Sequence, residues 1–107
     1  MSLRGFKLKK DGLHGDQVPT EILDWSFNWA KKWLVNGDTI TTSLWSDDAG
    51  GIISHISDNN INGITSLVLD LIGAVAGEQF LVTNLISTSG GRTASRSFLL
   101  DVVAKKP

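Results

Sequence analysis

A chain of 107 residues is one domain, with room for a two-layer core but not for two independent ones. It has no cysteine, which excludes disulfides and thiolate metal sites, and no apolar run approaches the roughly 20 residues of a membrane span. A formal net charge of −1 gives no electrostatic case for nucleic acid, although four of the ten basic residues fall in the first ten positions and acids dominate Asp38 to Asp58.

Residues 1–20 combine lysines, Gly5, Gly12, Gly15 and Pro19 with few sizeable apolar groups, chiefly Leu3, Phe6, Leu8 and Leu13. Such a segment buries little of itself and is expected to be an extended basic arm. Either it is an inert terminus, or it lays Phe6 and Leu8 on a neighbouring subunit. Arg4, Lys7, Lys9 and Lys10 are followed by no apolar h-region, so nothing here reads as a secretory signal.

The remainder, residues 21–107, is expected to form the folded domain. In Ile22–Trp29, Leu23, Trp25, Phe27 and Trp29 share one parity, the mark of a half-buried strand with an aromatic inner face. Ala30 to Leu34 suits one helical turn, which Asn36-Gly37 would end. Asp38 to Trp45 returns to a strand pattern, with Ile40 and Leu44 on one face and Trp45 on the other. Asp47 to Gly51 is a turn, Ile52 to Ser57 a short strand, and Asp58 to Gly63 a second turn. Ile64 to Leu71 is a strand with Thr65, Leu67, Leu69 and Leu71 inward. Gly77 to Val103 is the best-determined piece, a long hairpin in which Phe80, Val82, Asn84 and Ile86 alternate with Gln79, Leu81, Thr83 and Leu85. Thr88-Ser89-Gly90-Gly91 supplies its turn, and Phe98, Leu100 and Val102 line the return strand. Six or seven short strands spaced by turns predict an all-β antiparallel sandwich.

Chemistry finds little purchase in this pattern. Four tryptophans raise the question of a carbohydrate platform, but the parity of Trp25 and Trp29 favours core packing, with Trp33 the best candidate for exposure. Asp47, Asp48 and Asp58 sit in two turns, at a spacing that matches no calcium loop. His14 and His55 accompany no nucleophile elbow, no phosphate-cradling loop precedes a helix, and no paired carboxylates flank an evident cleft. The reading is therefore non-enzymatic, with no catalytic residue, cofactor or metal. Arg92 and Arg96 follow the hairpin tip. They belong either to a solvated face, or to ion pairs with Asp70 or Asp101, or to a contact with a partner.

Two stretches carry a family resemblance. One is Gly77-x-x-Phe80-x-Val82-Thr83-Asn84-x-Ile86-x-Thr88-Ser89-x-Gly91-Arg92-Thr93-x-x-Arg96-Ser97-Phe98-x-Leu100-x-Val102. The other joins Leu23-Asp24-Trp25-x-Phe27-x-Trp29 to Trp33-Leu34-x-x-Gly37-Asp38-Thr39-Ile40 and Ser43-x-Trp45. Together they resemble small structural-module proteins of tailed bacteriophages, of the fibre–tail adaptor type. The resemblance covers Glu21 to Trp45 and Leu67 to Val103, whereas Asp47 to Asn62 and the basic arm depart from it. It implies an immunoglobulin-like sandwich of about seven strands, in a virion protein that holds other virion proteins together; the absence of cysteine and of a signal suits assembly in the bacterial host cytoplasm. The implied partners are fibre, neck, tail or capsid subunits in a homo-oligomeric or symmetric assembly, without nucleic acid or membrane. Phe6, Lys7, Leu8 and Lys9 of the arm, with Arg92 and Arg96, are the expected contacts. A capsid decoration protein and a carbohydrate-binding module are the alternatives.

Overall fold

The computed structural model describes residues 6–10, 12–35, 37–51, 53–71 and 73–104, and for residues 7–9 and 32 the backbone alone. Among the described residues, eight strands and one helical turn follow one another: β1 (Lys7–Lys9), β2 (Gly12–Gln17), β3 (Ile22–Asn28), α1 (Trp29–Lys32), β4 (Ile40–Asp47), β5 (Ser54–Ile61), β6 (Ile64–Asp70), β7 (Gln79–Thr88) and β8 (Thr93–Val102). They form two unclosed sheets, ordered β1-β2-β8-β7-β4 and β3-β6-β5. Every pairing is antiparallel except that of β2 with β8. Taking β2 to β8 as seven sandwich strands, this is the expected immunoglobulin-like architecture, with the first strand joined to the sheet that carries the last.

The β7–β8 hairpin organises the larger sheet as its alternation predicts. Phe80, Val82, Asn84, Ile86 and Thr88 are buried on one face, while Leu81 and Leu85 look outward. Phe98, Leu100 and Val102 continue the inner face on β8. From the facing sheet, Trp25, Phe27, Thr65, Leu67 and Leu69 close the core.

Polar side chains fasten the layers at two places. Trp29 Nε1 donates to Thr65 Oγ1 and Asn84 Oδ1, both at 3.1 Å, and Asn84 Nδ2 donates to Ser43 Oγ. Gln17 is fully buried: its amide nitrogen donates to Leu69 O and Glu21 O, and its oxygen accepts from Trp25 Nε1. A satisfied buried network of this kind fixes the relative position of two sheets more sharply than apolar contact does.

Four local expectations are revised. Residues 12–17, expected within an arm, form β2, because parallel pairing with β8 supplies backbone partners that their own side chains do not advertise. Gly15 lets that strand approach the core closely, since a Cβ there would stand 2.5 Å from the Trp25 ring. On β4, the register shifts between Ile40 and Thr42. The bulge reverses the parity, so Ile40 and Trp45 turn inward and Leu44 is left exposed. The segment Asp58 to Gly63 is mostly strand: β5 runs to Ile61, and Asn62-Gly63, both at positive φ, make a two-residue turn into β6. Helix α1 starts at Trp29, with the Asn28 side chain capping Lys31 N–H; Gly37 takes the expected left-handed conformation, whereas Asn36 lies outside the described residues.

Candidate partner-binding cleft

The residues expected at a contact surface fall into two groups. Phe6, instead of reaching away, folds onto its own chain, with ring centroids 5.0 Å from Phe98, 5.4 Å from Trp25 and 5.5 Å from Phe27. The apolar face that β3 and β8 expose at this margin of the sandwich is sufficient reason, because covering it removes aromatic surface from water. The backbone of Lys7, Leu8 and Lys9 forms β1, but their side chains lie outside the description.

The two arginines separate clearly. Arg92 is committed internally: its guanidinium lies 3.9 Å from the centre of the Trp33 ring and donates to Trp33 O at 3.1 Å. It also pairs with Asp38, at 3.4 Å, and not with Asp70 or Asp101. Asp38 in turn fastens the β7–β8 turn to the segment before β4, accepting from Gly90 N–H and Ser89 Oγ through one carboxylate oxygen. Burial of this carboxylate pushes its pKa up. Hydrogen bonds from Gly90, Ser89, Thr88 and Arg92 outweigh that effect and hold it below the ordinary 3.8.

Arg96 is different. Being on the parity of Phe98 and paired with Asn84, it points between the sheets, with its guanidinium 4.9 Å from the Phe27 ring centre and 5.7 Å from that of Trp29. No carboxylate or carbonyl of the described residues accepts a hydrogen bond from it, so cation–π contacts are its internal ties. It opens into a cleft of about 210 Å³ lined by Phe6, Leu13, Ser26, Phe27, Asn28 and Lys31. Sequence reading singled out Arg96 and Phe6, but missed Phe27, Lys31 and the cleft that joins them. Only the folding of residues 6–10 and 12–17 against β3 and β8 creates it.

The other candidates resolve into structural roles. Each tryptophan ring has an internal neighbour: Trp25 against Phe98, Trp29 against Trp33, Trp33 beneath Arg92, and Trp45 stacked on Phe27. The two histidines pair with acids, His14 with Asp101 and His55 with Asp47. Asp47 and Asp48 also accept from Ala49 N–H and Leu81 N–H, ordinary turn and strand-end bonds. Among the described residues no three acidic or histidine side chains converge as metal ligands do.

The outer faces are notable for apolar exposure. Leu44, Leu81 and Leu85 stand on the larger sheet, with Leu44 opposite Leu85. Ile22 and Ile61 stand exposed on the smaller one, where Asp24, Asn59, Ile64, Ser66 and Val68 line a shallow depression.

No curated protein matches the chain. Residues 17–101 match the family described as Podophage GP4 fiber-tail adaptor protein gp77, a span from the buried Gln17 to the end of the β7–β8 hairpin. That match takes in the core strands, the Asp38–Arg92 fastening and Arg96, and stops short of Phe6. The chain belongs to this family of podophage fibre–tail adaptor proteins.

Proposed function

We propose that the chain is a non-enzymatic connector of the phage particle, seated at the neck or tail, that joins a fibre or a neighbouring subunit to it. Family membership over residues 17–101 is the observation that carries this reading. The surface supports it. A part held between two others needs contacts on more than one side, and apolar residues stand exposed on the outer faces of both sheets. The partners are other virion proteins, met by a rigid sandwich repeated around a symmetric assembly, so that modest single contacts gain strength from number. Arg96, Phe6 and the β1 segment Lys7–Lys9 form one contact region, at the margin where the sandwich is open. Arg92 contributes by holding the hairpin tip and Trp33 in place beside it.

Particles grown from a phage lacking this gene test the proposal. They should fill their heads, lack fibres when imaged by electron microscopy, and regain them when the protein is supplied in trans. Fully fibred, infectious particles without it would overturn the reading.

A further inference from the structure

We propose that the Arg96 cleft receives an acidic segment of a partner protein, in which an aspartate or glutamate stands beside an apolar side chain. The inference rests on the connector reading and adds the chemistry of the partner. Its observations are the position of Arg96, the nature of the walls, and the charge balance around them.

Arg96 projects between two sheets and spreads its guanidinium across Phe27 and Trp29, yet no acceptor among the described residues meets it. A planar fork held in that way keeps its N–H groups directed for a carboxylate, which arginine binds through two parallel bonds. The aromatic rings beneath it lower the local dielectric, so a charge-assisted bond formed here is stronger than one on an open surface. Lys31, exposed on α1, adds a second positive charge at the rim. Phe6, Leu13 and Phe27 supply the rest of the lining, which suits an apolar group next to the acid. A bare inorganic anion would use the charge and leave these walls unfilled.

The occupant comes from another chain. Of the described acids on the cleft's elements and beside them, Asp38 is engaged at the hairpin tip, Asp47 by His55 and Asp101 by His14, Asp16 is engaged as well, and Asp24 lines the depression on the outer face of the smaller sheet instead. Complementarity of charge and of apolar character therefore points outward, to a partner's acidic–apolar segment.

The test uses the full chain, labelled with ¹⁵N, and two probes: N-acetyl-leucyl-glutamate amide and its glutamine counterpart. The expected result is concentration-dependent shifts at Ser26, Phe27, Lys31 and the Arg96 side chain with the glutamate probe. Binding should be at least tenfold weaker for the glutamine probe, and for Arg96→Gln with the glutamate probe; Arg96→Lys should recover part of it. Equal response to both probes, no response at these residues up to the solubility limit, or an equal response to inorganic phosphate would overturn the proposal.

In the phage, particles made with Arg96→Gln should incorporate the protein at least tenfold less than wild type, while the purified variant still unfolds cooperatively. Normal incorporation of Arg96→Gln would sink the cleft proposal and leave the connector reading standing, since that reading is tested separately, by the gene deletion and by the presence of the chain in purified particles. A variant that fails to fold is replaced by Lys31→Glu, which reverses charge on the exposed rim. The glutamate probe should then bind at least tenfold more weakly, and unchanged binding would overturn the proposal.

Discussion

Asn84 shows how much a single polar side chain can hold in an otherwise apolar core. It accepts from Trp29 and Thr65 and donates to Ser43, tying α1, β6 and β4 to β7. Asn84→Ala orphans the buried Thr65 hydroxyl and leaves Trp29 Nε1 with Thr65 alone, at about 1–3 kcal/mol for an orphaned buried donor. A melting temperature lower by roughly 5–15 °C is expected in calorimetry. Leu81→Thr, on the outward face of the same strand, should change stability by less than about 0.5 kcal/mol. Asp38 makes a prediction in pH. Its pKa is lowered in the folded state, so its contribution to stability is complete above the unfolded value near 3.8 and is lost as pH falls through the folded value. Asp38→Asn should accordingly be less stable than wild type in denaturant titrations at pH 7. The gap should close as both proteins are taken toward roughly pH 2. A gap that persists or widens in acid contradicts the assigned role of the carboxylate.

At the level of elements, β2 is the instructive case. Its sequence, Gly-Leu-His-Gly-Asp-Gln, lacks the alternation that marks β7, and its partner β8 is some eighty residues away in the chain. The strand exists because β8 offers a free edge, because Gly15 admits the Trp25 ring, and because Gln17 satisfies three groups of other residues as well as its own two. None of these is visible locally, whereas the β7–β8 hairpin was legible from alternation and a glycine turn alone. The β4 bulge is a similar limit: a one-residue shift exchanges the faces of Leu44 and Trp45 without any change in composition. Gly15→Ala tests the β2 account. Its added methyl meets the Trp25 ring at 2.5 Å, and overpacking of that order costs about 1–3 kcal/mol. A lowered melting temperature with an altered near-ultraviolet tryptophan signal is expected; an unchanged protein would mean that β2 does not seat as described. Of the candidate site, Arg96 and Phe6 were legible as unusual residues, but their meeting was not, since it depends on where residues 6–10 and 12–17 dock.

For the whole molecule, the sandwich combines a firmly pinned interior with unfinished exterior features. Two sheets are fastened by Gln17, Trp29, Thr65 and Asn84, which fix their relative position. Its outer faces carry exposed leucines and isoleucines, and one margin holds an arginine over aromatic rings with no acceptor among the described residues. A rigid body with several unsatisfied surfaces is suited to a place among other proteins, and membership of the podophage adaptor family agrees. The central claim is that this chain is a permanent part of the particle in small, fixed number. Quantitative mass spectrometry of purified phage particles, referenced to the major capsid protein, measures this directly. The account predicts a constant stoichiometry on the order of ten copies per particle, the number that a single closed ring supplies. Absence of the chain from purified particles would contradict the account outright, and hundreds of copies would place it on the capsid surface rather than at a junction.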